Sequence, residues 1–365
     1  IIMSPGIKQK NALFKKALNK NKYKIISDID LFYMFNSKMK SIVVTGTNGK
    51  STTCKIIEHV LQKSGIKVSL GGNIGKPIMS LKIAENQFVI IEASSFQLEY
   101  SKFIKPHYAL ILNITNDHLE WHGSMKKYTN SKFKIFSYQN NKNYAFLSSK
   151  KLLKKYNSEK NLANLKIVKP HYFSQIKNKV KNNYINSKIN EQNMNFVITL
   201  LKVLGISQKK MIDSLNSFKG LPHRYEIFLK KKNLIFINDS KATSFQSTRF
   251  ALQSNKNIFW ILGGLPKLGD KFNVGKLKKN IIKSYIIGKH MNNFKKLLSK
   301  KVNYKLVGSL KNAVTLIFKD LQKVRNKKIT ILLSPASASY DQFKNFEERG
   351  NKFKNLIKKY AAKYN

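Results

Sequence analysis

Cysteine occurs once in the 365 residues, at Cys54. No disulfide can form within the chain, and a reducing, cytoplasmic setting is expected. No apolar run approaches the length that crosses a bilayer, and no signal peptide is expected. Carboxylates are scarce as well: 18 Asp and Glu stand against 69 Lys and Arg, for a formal net charge of +51. Arginine is rarer still, with Arg224, Arg249, Arg325 and Arg349 the only four. A charge of +51 alone suggests a nucleic-acid or anionic-membrane partner. The shortage of arginine argues the other way, because readers of phosphates and bases favour its bidentate fork. The lysines run along the whole chain among Asn and Ile, like drift over solvated surfaces. Specific nucleic-acid or membrane binding is therefore not expected, although salt-sensitive sticking to polyanions is.

The few acids are informative. Glu92, Asp117, Asp239 and Asp270 fall inside Gly-, His- or Ser-rich motifs, the company of site chemistry rather than of surface solvation.

What is present is organised around KSIVVTGTNGKSTT, residues 40–53. Ser41-Ile42-Val43-Val44 reads as a buried strand, and Gly46-Thr47-Asn48-Gly49-Lys50-Ser51-Thr52 as a tight loop opening a helix. Such a loop turns backbone N–H groups onto phosphate oxygens. Lys50 supplies a point charge to the terminal phosphates, and a hydroxyl, Ser51 or Thr52, is placed to hold Mg²⁺. The spacing is shorter than the usual G-x-x-x-x-G-K-[ST].

At 365 residues, two or three domains are expected. Residues 1–37 read as one and a half β/α units: a turn at Ser4-Pro5-Gly6, an amphipathic helix around Ala12–Leu18 and a short strand at Lys24–Ile26. They are expected to be the remainder of a domain whose beginning is absent, since the chain starts at Ile1. Residues 38–220 alternate strands and helices, and polar clusters follow the strands: Gly71-Gly72-Asn73, Glu92-Ala93-Ser94 and Asn113–His118. Residues 139–188 are weakly patterned and read as strands and loops. A helix is expected near Asn193–Leu204. Residues 221–365 read as a second doubly wound sheet, with Asn238–Thr243, Gly263–Lys267 and Ser334–Ser337 at strand ends. In parallel sheets that edge binds ligands.

Glu92 is a candidate Mg²⁺ ligand or, more blandly, a helix-capping acid. His118 is a metal ligand, an anion contact or a structural histidine; His122 is taken as structural. Asn190 and Asn193, one helical turn apart, could both face a purine or ribose. Asp239-Ser240-Lys241 could complete a nucleotide site begun by the first loop. Arg224 suits a phosphate contact, with a surface salt bridge as the alternative.

Together these stretches resemble the Mur ligases: TGTNGKSTT (45–53), GGNIGKP (71–77), EASSFQLE (92–99), NITNDHLEWHGSM (113–125), GLPHRYE (220–226), NDSKATS (238–244), GGLPK (263–267) and SPASASYDQFKNFEERG (334–350). The last is most similar to the members that add D-glutamate. The resemblance implies an α/β fold with a P-loop central ATPase domain, a Rossmann-like C-terminal domain and a remnant of an N-terminal α/β UDP-binding domain. It implies ATP and Mg²⁺ as cofactors, UDP-N-acetylmuramoyl-L-alanine and D-glutamate as substrates, an acyl-phosphate intermediate in peptidoglycan synthesis, and a monomer. By matching position, the loop from Gly46 to Thr52, with Asn193, Arg224, Asp239 and Lys241, would bind ATP. Ser51, Thr52, Glu92, His118 and a carbamylated Lys132 would hold metal, with Lys50, His118 and Lys132 catalytic. Ser4, Pro5, Gly6, Asn73 and His118 would bind the UDP substrate, and Thr243, Lys267, Ser339 and Phe346 D-glutamate. Two positions depart from the family: Ile189 stands for its histidine before Asn190, and Trp121 for its frequent arginine. The alternatives are another Mur or folylpolyglutamate-type ligase, or a silent basic relative that binds polyanions.

Overall fold

The computed structural model describes residues 1–7, 25–266, 270, 273–299, 301–324 and 327–362. Lys267 and the helix expected around Ala12–Leu18 lie outside them. The chain divides into two compact units, Ile1–Lys219 and Gly220–Asn365.

The first unit is built on β1 (Lys40–Thr45), β2 (Val68–Gly72), β3 (Phe88–Glu92), β4 (Tyr108–Ile111), β5 (Tyr144–Leu147) and β6 (Asn164–Ile167). They pair in the order β2-β3-β1-β4-β5-β6, every pair parallel. Ile42, Val43 and Val44 are fully buried because helices cover both faces of a parallel sheet. Val43, Val89, Ile91, Ala109 and Ile111 share one core with Phe133, Ile135 and Phe136. The central position of β1 sets the loop after it in the middle of the strand carboxyl ends, beside the ends of β3 and β4.

Ahead of β1, the Asp28–Phe35 helix is anchored by one carboxylate. Asp30 is fully buried, and its Oδ1 accepts from Ser101 Oγ and Phe103 N, both at 2.8 Å. Its Oδ2 accepts from Lys102 N at 2.9 Å, Ser27 N at 3.0 Å and Ser27 Oγ at 3.1 Å. Asp30→Ala strands these donors, and a loss of about 3–5 kcal/mol in denaturant-unfolding stability is expected. A loss under about 1 kcal/mol would mean that water takes over the carboxylate's role.

The second unit contains β7 (Glu226–Lys231), β8 (Leu234–Asn238), β9 (Ile258–Gly263), β10 (Ile281–Ile287), β11 (Tyr304–Gly308) and β12 (Ile329–Leu333), ordered β11-β10-β9-β12-β8-β7. Side chains alternate between two cores: Phe259, Ile261 and Leu333 face one, Trp260, Leu262 and Leu332 the other. The sheet is a Rossmann-like parallel arrangement extended by an antiparallel edge, since β7 runs against β8. Among the described residues, no helix is long and apolar enough to cross a membrane.

Candidate active site

The loop after β1 has the geometry of a phosphate cradle. Gly49 ends it at φ 85°, directly before the Lys50–Lys63 helix. Only glycine fits there: a Cβ would stand 2.1 Å from Asn193 Oδ1. Asn193 is thus packed against the loop. Asn190, its neighbour one turn earlier, instead donates to Tyr184 O at 2.8 Å and is taken up inside the fold. Of the two asparagines read as possible nucleotide contacts, Asn193 is the one packed against the loop.

The loop is braced from the end of β4. Asn113 Oδ1 accepts from Asn48 N at 2.9 Å, and Asn113 O from Thr47 N at 2.9 Å. The Thr47 hydroxyl donates to Thr115 O at 3.2 Å and lies 3.0 Å from Tyr128 OH. Asn113 and Tyr128 had no part in the sequence-based site; the polar run after β4 was the available signal. Lys50 Nζ donates to Gly46 O at 2.8 Å and Thr47 O at 3.0 Å, so the ammonium lies over the loop.

Three further expected residues gather here. Lys132, 1% exposed, donates through Nζ to Gly46 O at 3.0 Å and Thr45 Oγ1 at 3.3 Å. Burial, with the neighbouring Lys50 charge, pushes its amine well below the ordinary lysine range. Glu92 is also 1% exposed; Asn73 Nδ2 donates to its Oε1 at 2.8 Å, while Oε2 has no hydrogen-bond partner among the described residues. It does not cap the following helix, because Ser94 does. His118, at φ 54°, packs its ring 4.6 Å from Phe96 and lies 3.4 Å from Asp117 Oδ2. His122 is structural as read. Its ring nitrogens meet Ser95 Oγ at 3.0 Å and Ser131 Oγ at 3.3 Å, and burial holds it down at about 4. Trp121 packs on Phe96 and Tyr100.

Glu92 Oε2, a buried carboxylate oxygen with no hydrogen-bond partner among the described residues, is of the kind a hard divalent cation takes, and Ser51 and Thr52 are the buried hydroxyls of the helix that follows the loop. Among the described residues no group of three or more His, Cys, Asp or Glu converges. A metal here would draw its remaining ligands from hydroxyl, water and phosphate oxygens.

The second unit gathers its own set. Asp239 accepts Ser334 Oγ at 2.7 Å and Tyr225 N at 3.0 Å. Lys241 Nζ lies 3.9 Å from the centre of the Phe346 ring, and Ser240 Oγ donates to Phe346 O at 2.8 Å. Ser339 is buried, and Thr243 precedes the cap of the Phe245–Gln253 helix. Burial raises the Asp239 carboxyl to about 7. A folded value above the unfolded 3.8 gives stability that is full below 3.8 and lost as pH rises through 7. Asp239→Asn is expected to flatten that fall, with a gain at pH ~8 on the order of 4 kcal/mol. Parallel pH–stability curves for the two proteins would refute it.

Ser4, Pro5 and Gly6 form a turn closed by Ile7 N to Ser4 O at 3.1 Å, with Met3 N tied to Ile26 O at 3.0 Å. Nothing described brings them to the phosphate loop.

The Mur ligase middle domain pattern matches residues 44–216. UDP-N-acetylmuramoylalanine–D-glutamate ligase of Rickettsia felis is 34% identical over 99% of this chain and 84% of its own. The enzyme of that name from Elusimicrobium minutum is 36% identical over 98% of this chain and 84% of its own. Among solved structures, MurF ligase from Thermotoga maritima in complex with ADP has a TM-score of 0.67 at 16% identity, covering 97% of this chain and 92% of its own. At that identity the likeness concerns the fold.

Proposed function

The chain belongs to the Mur ligase family, and from that premise we propose that it joins D-glutamate to UDP-N-acetylmuramoyl-L-alanine with ATP, in peptidoglycan synthesis. The observation that carries this is the convergence of Lys50 and Lys132 on Gly46 O, in a glycine-turned loop at the centre of the sheet edge. It stands in a chain similar, over nearly its whole length, to ligases named for that reaction.

The L-alanine carboxylate attacks the terminal phosphorus of ATP, giving an acyl phosphate and ADP. The D-glutamate amine then adds to the acyl carbon, a proton leaves, and the tetrahedral intermediate expels phosphate to leave an amide. Negative charge grows on phosphoryl and carbonyl oxygens in both steps. Thr47 N and Asn48 N are taken by Asn113, so the N–H groups at Gly49 and the first turn of the following helix, with the Lys50 ammonium, hold those oxygens. Mg²⁺, when bound at Glu92 Oε2 with Ser51 or Thr52, would neutralise phosphate charge. Asn73 keeps the carboxylate oriented by holding its other oxygen. Thr243, Ser339 and Phe346 hold D-glutamate. The setting is the cytoplasm, where ATP is at hand and buried Cys54 stays a thiol.

Phosphate release tests the reading. It should require ATP, UDP-N-acetylmuramoyl-L-alanine and D-glutamate together. Release with L-alanine, L-lysine or diaminopimelate in place of D-glutamate would move the chain to another branch of the family. Release without any amino acid would make it an ATPase.

A further inference from the structure

Arg349 stands in the first turn of the Phe346–Ala362 helix and is 1% exposed. Its Nε donates to Ser240 Oγ at 3.0 Å, and its Nη2 to Ser240 O at 2.8 Å and Ser337 O at 3.1 Å. Nη1 is buried without a partner among the described residues. It faces the turn after β9, where a Cβ on Gly264 would stand 3.3 Å from it and 2.3 Å from Ala338 O. That turn is joined to the loop after β12 by reciprocal Leu265–Ala338 backbone hydrogen bonds of 3.0 Å. One guanidinium therefore lies beneath three strand-end loops.

None of its hydrogen bonds goes to a carboxylate. Asp341, the acid that acts on its charge, accepts Lys289 N at 2.9 Å. Burial lowers Arg349 to about 10, which leaves it a cation at neutral pH. A buried cation leaning on carbonyl and hydroxyl dipoles is costly, and solvent and salt barely screen its field. Fastening the loops uses Nε and Nη2 alone. Nη1 is left without a hydrogen bond among the described residues, and no carboxylate is bonded to the guanidinium.

We propose that Arg349 is the positioning residue that makes the acceptor pocket favour a dicarboxylic amino acid over its neutral amide, through its buried charge beneath the loop carrying Ser339. The proposal rests on the D-glutamate reading and says what in this chain enforces it. Arg349 touches no reacting atom; it holds the Ser240 and Ser337 loops and places positive potential under the second carboxylate.

The test uses the full chain with two substitutions. Arg349→Gln keeps a donor and removes the charge; Arg349→Lys keeps the charge and loses the fork. In Arg349→Gln, KM for D-glutamate should rise about tenfold or more with kcat changed under about threefold, and the kcat/KM ratio of D-glutamate to D-glutamine should fall about tenfold. Arg349→Lys should hold that ratio within about threefold of the parent protein. A folded Arg349→Gln that keeps the parent ratio, or an Arg349→Lys that loses it, overturns the proposal and leaves Arg349 a loop fastener. A parent protein that does not use D-glutamate defeats the underlying reading instead, and the control reports that separately.

Discussion

Replacing Lys50 by alanine is expected to lower phosphate release about a thousandfold or more while leaving thermal unfolding nearly unchanged. The ammonium rests on two carbonyl oxygens of the loop, Gly46 O and Thr47 O, at 2.8 and 3.0 Å. Both contacts are to the phosphate-type loop itself, so they place the ammonium over that loop. Lys50 opens its helix and is half-buried, and alanine is the best helix former at such a position. Folding therefore has little to lose. The transition state does, because both steps load charge onto oxygens gathered at this loop. Lys50→Arg is expected to recover little, since a planar fork does not reproduce a compact point charge lying over these carbonyls. The assay is phosphate release with all three substrates at saturation, beside a melt of each protein. A Lys50→Ala protein within about tenfold of the parent would remove the loop from the chemistry.

The phosphate loop was legible because its requirement is local: an apolar strand, glycines at fixed offsets and a Lys-Ser-Thr opening a helix all lie within 14 residues. Glu92 was legible for a related reason, as an acid ending the apolar run Phe88–Ile91. Spacing alone did not separate Asn190 from Asn193. Helical period put both on one face, but the preceding loop claims Asn190 through Tyr184 O. The second sheet showed its inner strands and hid its rims. β7 and β11 are edge strands with incomplete burial, so they lack the continuous apolar runs that announced β9 and β12. Residues 139–188 were read as strands and loops; β5 and β6 are there, four residues each, but the Lys150–Ser158 helix between them was not expected. Arg349 had no local signature. Ser240, which it grips, lies 109 positions away, and only the fold brings them together.

Lys132→Met is expected to reduce turnover by about a hundredfold or more, and the parent protein is expected to lose activity reversibly when carbon dioxide and bicarbonate are removed. A lysine buried to 1% exposure beside a second lysine is a poor home for an ammonium, and desolvation holds this amine well below its usual range. A neutral amine is a nucleophile. Its nitrogen would bond to the carbon of CO₂ with loss of a proton to solvent, giving a carbamate anion. That reaction would turn a neutral amine into an anion attracted to the neighbouring Lys50 charge. The carbamate adds oxygen ligands where the described residues offer few carboxylates or imidazoles. The two arms separate this account from a packing role. Methionine matches the stem of lysine, so a lysine needed only to fill space beneath Gly46 would tolerate the exchange. Bicarbonate should restore the depleted parent and do nothing for Lys132→Met. If the parent keeps full activity in exhaustively degassed, bicarbonate-free buffer after an acid wash, the amine itself performs the role. Turnover of Lys132→Met would then decide whether that role is the hydrogen bond to Gly46 O, seen at 3.0 Å.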